Sequence, residues 1–213
     1  MSRTRWPIVP ALGVLLVTAA CATTGQRVTP KAKISNAVSA APASISDKAT
    51  VMDWPATKDG QPTQLRAGTN EWVCFPEIPA IHGNDPMCID QVWVNWANAW
   101  MGRTPPKVER VGIGYMLAPG GGHGSNTDPY ATGPTADNEW GHDPPYLMIL
   151  VPDLAALEGL PASRDNGGPW VMWKGTPYAH IMVPVPAQND QSKAGAKKRG
   201  QNVFDWPDVP WPK

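Results

Sequence analysis

The densest run of groups able to do chemistry lies between Ala118 and Tyr146. It reads Pro119-Gly120-Gly121-Gly122-His123-Gly124-Ser125-Asn126-Thr127-Asp128-Pro129, followed by Asp137-Asn138-Glu139-Trp140-Gly141-His142-Asp143-Pro144-Pro145. Consecutive glycines let backbone amides approach a ligand closely, and Asn, Asp and His supply polar groups that can converge on it. A flat indole adds a surface on which a sugar ring can stack. His123, Asn126, Asp128 and Trp140 are therefore the expected ligand contacts.

Sharper chemistries find less support in the same stretch. A phosphate loop needs Gly-x-x-x-x-Gly-Lys-Ser/Thr opening a helix, but no Lys is present, and Pro129 and Pro134 oppose a helix. A serine hydrolase of the nucleophile-elbow type needs Gly-x-Ser-x-Gly, whereas Ser125 stands in Gly-His-Gly-Ser-Asn. A hydrolase would instead have to pair His123 or His180 with Ser125, or with a carboxylate-bound metal. A metal could draw on His123, His142, Asp128, Asp137, Glu139 and Asp143, yet no two of these His have a recognised ligand spacing. No metal and no cofactor is expected. His180 falls in an alternating segment with Tyr178 and Met182, which suits a partly buried strand residue, and His82 falls in a loop.

Elements to carry these residues can be read from the apolar pattern. Asp85 followed by Pro86 suits a helix start, and Ile89, Val92, Trp93, Trp96, Ala97, Trp100 and Met101 recur at helical spacing, which predicts a helix over Pro86 to Met101 ended by Gly102. Short strands are predicted at Glu71 to Phe75, Val108 to Leu117, Tyr146 to Val151, Trp170 to Trp173 and Tyr178 to Val183. The last two form a hairpin about Lys174-Gly175-Thr176-Pro177, and Asp153 caps a short helix to Glu158. Neighbouring strands with one main helix predict an α+β domain, an antiparallel sheet carrying the helix on one face. The stretch from 119 to 145 is then a loop far longer than usual, and such loops are often functional.

Composition limits the remaining choices. Pro contributes 25 and Gly 20 of 213 residues, which excludes long helices, while 11 Trp supply bulk for a core. Eighteen basic and 18 acidic residues leave no basic excess for nucleic acid. At the start, Arg3 and Arg5 precede a charge-free apolar run from Ile8 to Ala20, too short to span a bilayer and suited to an export signal. That run ends in Val17-Thr18-Ala19-Ala20-Cys21, which resembles the lipobox of bacterial lipoproteins, with Thr18 where the family more often has Leu. The resemblance implies cleavage before Cys21 and a lipid on it. Ala22 in place of Asp after the cysteine implies the outer membrane, facing periplasm or exterior.

Export places the two other cysteines, Cys74 and Cys88, in an oxidising compartment, where an even pair suggests a disulfide worth about 3 kcal/mol; two separate buried thiols are the alternative. Four segments follow: a signal over 1–21, a flexible tether over 22–49 rich in Ala, Ser and Thr, a globular domain over 50–186, and a polar tail over 187–213 holding Trp206 and Trp211. Val51-Met52-Asp53-Trp54-Pro55 is echoed by Val203-Phe204-Asp205-Trp206-Pro207. Pro86-Met87-Cys88-Ile89-Asp90, Gly124 to Pro129 and Val171 to Tyr178 are also similar to stretches of secreted bacterial proteins without an established activity, so the likeness transfers no site residue. The expectation is an envelope lipoprotein whose domain binds a small polar or glycan ligand, or a protein partner, without catalysis. A hydrolase and a purely structural envelope protein are the alternatives.

Overall fold

Short apolar segments broken by Gly and Pro satisfy their backbone groups most simply by pairing side by side, and the computed structural model pairs eight of them into one sheet. The structure describes residues 28–57, 60–78 and 83–185. The export segment with Cys21, His82 and the tail with Trp206 and Trp211 lie outside these residues.

In chain order the elements are α1 (Pro30–Val38), α2 (Ala43–Ser46), β1 (Thr50–Asp53), β2 (Thr63–Arg66), β3 (Val73–Phe75), β4 (Met87–Ile89), α3 (Gln91–Met101), β5 (Gly112–Met116), β6 (Gly122–Ser125), β7 (Trp140–Asp143), β8 (Tyr146–Leu150), β9 (Trp170–Met172) and β10 (His180–Pro184). The sheet order is β2-β1-β3-β4-β5-β8-β10-β9. Only β1 and β3 run parallel; every other neighbouring pair is antiparallel. The chain forms a single domain of α+β type. Strands β6 and β7 make a separate two-stranded hairpin, inserted between β5 and β8, which pair with each other from Gly112 opposite Leu150 to Met116 opposite Tyr146.

Alternation along the strands gives the sheet two covered faces. On β4, Ile89 joins a cluster with Trp93, Trp96, Met148, Trp170 and Met182, while Cys88 between Met87 and Ile89 joins a second cluster with Ala37, Ala40, Ala49 and Val51. Helix α3 therefore covers one face and α1 the other. The Cys74–Cys88 disulfide links two directly opposite residues of β3 and β4, with 4.0 Å between their Cα atoms.

Two expectations need correction. The main helix begins at Gln91, not Pro86, because Met87–Ile89 is held extended between β3 and β5. Asp90 is the cap: one carboxylate oxygen accepts from the Trp93 amide at 2.9 Å and the other from the Ile113 amide at 2.9 Å. Cys88 thus lies on a strand rather than in a first helical turn. The flexible tether expected over 22–49 is also wrong from Pro30 onward. Thr29 caps α1, and Ala37, Ala40 and Ala49 are fully buried. Small side chains lack transfer energy individually, but they let α1 sit close to the sheet, where many contacts are made at once.

Candidate functional site

Hairpin β6–β7 lies within the stretch expected as one long loop, and its register divides its residues between two faces. His123 stands opposite His142 and Ser125 opposite Trp140; Gly122 stands opposite Asp143 and Gly124 opposite Gly141. Directly opposite residues share a face, so the rings of His123, His142 and Trp140 lie on one side and the Asp143 carboxylate on the other.

The Asp143 side packs inward. Its carboxylate is 3% exposed and lies 2.9 Å from Nη1 of Arg164, at an angle outside hydrogen-bond geometry, so the contact is coulombic. Nη2 of Arg164 donates to the carbonyls of Gly124 at 3.3 Å and Glu139 at 3.1 Å, tying both hairpin strands to one side chain. Glycine at 141 makes room for this guanidinium: a Cβ there would stand 2.8 Å from Nη1. Gly121, at φ +59°, is required more strictly, since a Cβ would meet the Asp143 carbonyl oxygen at 1.9 Å. Burial pushes the Asp143 carboxyl up to about 6, with Arg164, then His142 and His123, pulling it down. Asp85, expected to cap the helix, is instead buried against Gly122, and burial raises its carboxyl as well; the Ile78 amide donating to it opposes the rise.

The ring-bearing side faces outward. His142 is exposed and His123 and Trp140 are half-buried. The two imidazoles meet edge to face with centroids 5.0 Å apart, and Nε2 of His142 lies 2.6 Å from the Gly120 carbonyl oxygen. A carbonyl can only accept, so His142 carries a proton on Nε2, and in the neutral ring the lone pair is on Nδ1.

Of the four expected ligand contacts, His123 and Trp140 share this outer face, Asp128 is exposed on the loop beyond it, and Asn126 is not available. Asn126 is 2% exposed; its amide nitrogen donates to Glu139 Oε2 at 2.9 Å and to the Ala162 carbonyl at 2.7 Å, while its oxygen accepts from Trp170 Nε1 at 3.0 Å. It is a joint between the hairpin and the core. One Asp128 oxygen accepts from the Tyr130 amide at 2.8 Å.

The Ser125 hydrolase finds no geometry. Its hydroxyl donates to the Asn138 carbonyl at 2.6 Å and accepts from the amides of Asp128 at 2.8 Å and Thr127 at 3.2 Å, so it holds a turn and has no proton left for a base. His180 belongs to a different layer. It is 2% exposed, with Trp93, Trp96 and Trp173 presented to it edge to face at 5.2, 5.6 and 5.1 Å, and its Nδ1 lies 3.0 Å from the Tyr178 carbonyl. Burial lowers it to about 4, so near neutral pH it is an uncharged core ring. Among the described residues no group of three His, Cys, Asp or Glu side chains is assembled to hold a metal.

Arg164 was not a candidate from sequence. It sits in a short turn, Arg164–Asn166, 21 positions beyond Asp143, and a lone Arg among polar residues gives no local sign of its partner. No family model, no curated protein and no solved structure matches this chain.

Proposed function

We propose that the protein is an exported, lipid-anchored binding module of the cell envelope that presents the outer face of hairpin β6–β7 to a glycan, without chemistry on it. Cys21 carries the anchor, and the residues before α1 hold the domain off the membrane. Trp140 supplies the stacking surface, His123 and His142 the hydrogen-bonding groups beside it, and Asp128 a polar group on the loop beyond.

The observation that supports this reading is the division of the hairpin into two unlike faces. Its inner side is occupied by Arg164, Asp85 and Asn126, whereas its outer side carries three neighbouring ring side chains, two on β7 and one on β6, that are exposed or half-buried. An indole with two imidazoles beside it on a side-chain-poor strand pair offers an open surface, which suits a sugar ring better than an enclosed substrate pocket would. An enzyme would need acid, base and nucleophile to converge, and here the candidate nucleophile and one candidate base are held apart in structural roles.

The test uses chitotriose as a soluble probe of envelope-type amino sugars, titrated into the chain and followed by NMR of the indole N–H signals. Saturable shifts of the Trp140 signal, lost in Trp140→Ala with the fold intact, are the expected result. Unchanged indole signals throughout the titration would refute glycan binding. Mass spectrometry of protein extracted from membranes reads the lipid on Cys21 separately.

A further inference from the structure

Two histidines directly opposite each other on an antiparallel strand pair are held near enough for one ion to reach both rings. His123 and His142 are directly opposite, with ring centroids 5.0 Å apart and planes 64° from one another. Two imidazole nitrogens bound to one ion at about 2.0–2.1 Å each require rings at about this separation. Nε2 of His142 already donates to the Gly120 carbonyl, so in the neutral ring an ion would be bound through Nδ1. That carbonyl-oriented imidazole is the arrangement found behind most metal-ligating histidines. A Cβ at Gly121 would stand 3.2 Å from Nε2 of His142, so glycine there leaves room for the ring, and His142 itself is exposed, so an ion has a path in from solvent.

We propose that His123 and His142 form a two-imidazole site for a divalent first-row transition ion, copper(II) ahead of zinc(II), with water filling the other positions. Imidazole nitrogen suits both ions, and the general affinity order places copper above zinc. Among the described residues no third His, Cys, Asp or Glu side chain is grouped with this pair to hold an ion, which suits an open, exchangeable site rather than a structural centre. This goes beyond the glycan reading and does not depend on it: the sugar titration uses metal-free protein, and either result can fail while the other stands.

The experiment is a titration of copper(II), buffered with glycine, into the full chain prepared without an affinity tag, read by calorimetry and by electron paramagnetic resonance. One ion per chain with two nitrogen donors is expected, and His123→Gln and His142→Gln should each weaken binding at least tenfold. Trp140→Ala should change it less than twofold. Absence of saturable binding, a spectrum showing fewer than two nitrogen donors in the wild type, or wild-type affinity in either His variant would overturn the site. The resonance spectrum tests the wild type directly, so the proposal stays testable even where a variant folds poorly; circular dichroism checks each variant's fold.

Discussion

His180 and Asp143 are both nearly removed from solvent, yet the regions around them are built on different physics. Around His180, three indole edges and one carbonyl surround a neutral ring, and Trp96, Trp100 and Trp173 lie beside it with near-parallel rings whose centroids are 6.0–6.5 Å apart. This layer is apolar enough that the Trp93 indole N–H is buried without a hydrogen-bond partner. Around Asp143, a guanidinium, backbone carbonyls and glycines surround a carboxylate, and almost every contact is polar. Dispersion and transfer energy hold the first region. Geometry and charge hold the second, which supplies less net stability but fixes the register of the strands that display the outer rings. Three indole N–H groups join the two: Trp100 donates to Pro129, Trp170 to Asn126 and Trp173 to Ser125.

The largest expected effect lies in the aromatic layer. Trp96 is 5% exposed and touches Trp93, Trp100, Trp173, Tyr178 and His180, so Trp96→Ala should cost about 3–5 kcal/mol. That is a large part of the about 5–15 kcal/mol that holds a typical domain. Urea unfolding should show a midpoint near zero denaturant, or no folded baseline. A loss under 1 kcal/mol would mean that the layer is not the main source of stability.

Next in size is the response to pH, where the two regions pull against each other. His180 is lowered from 6.5 to about 4, so its contribution is complete above 6.5 and is lost as pH falls toward 4. Asp143 is raised from 3.8 to about 6, so its contribution is complete below 3.8 and is lost as pH rises through 6. Between pH 4 and 6 the unfolded chain holds the His proton and the folded chain the Asp proton, so the two slopes cancel. Each removed separately should expose the other, at about 1.4 kcal/mol per pH unit. Asp143→Asn should then gain stability as pH rises from 4 to 6, and His180→Phe should lose it over the same interval. Urea midpoints at three pH values check both signs; parallel profiles in the two variants would refute the opposition.

How much of this contrast the sequence carried depends on the range of the interactions. Trp93, Trp96 and Trp100 recur at helical spacing, so the face that α3 buries could be read, as could β5, β8 and the β9–β10 hairpin from their apolar runs and turn residues. Asp153 caps its short 3₁₀ turn as its position suggested. What could not be read was decided by distant partners. Met87–Ile89 looks helical by periodicity and is extended because β3 and β5 claim its backbone groups. The alanines of α1 look like linker composition until Val51 and the disulfide supply a surface for them. Asn126 looks like a ligand group because its polarity is visible and its three internal partners, 13 to 44 positions away, are not.

Breaking the ion pair should have a smaller and more local effect. Arg164→Ala leaves Asp143 buried without its counter-charge, but the carboxyl can take up a proton, which limits the loss to about 2 kcal/mol. Hydrogen exchange should speed up at the β6 and β7 amides while β5 and β8 stay protected. Arg164→Lys keeps the charge but not the fork that places Nη1 at Asp143 while Nη2 donates to Gly124 and Glu139, so it should restore only part of the protection. Equal loosening of hairpin and sheet would show that the two regions are not separable.

The smallest expected change in stability is on the outer face, and there it is most informative. Trp140 and His142 lie on the face of the hairpin opposite Asp143 and Arg164, and Trp140→Ala and His142→Gln should each change the unfolding free energy by less than about 0.5 kcal/mol. A half-buried indole kept purely for packing would cost more than that when truncated. If stability holds while chitotriose binding disappears in Trp140→Ala, the rings are displayed for a ligand and the polar inner face is their support. If stability falls by 2 kcal/mol or more, Trp140 belongs to the packing of the hairpin, and the outer face is part of the fold rather than a surface for binding.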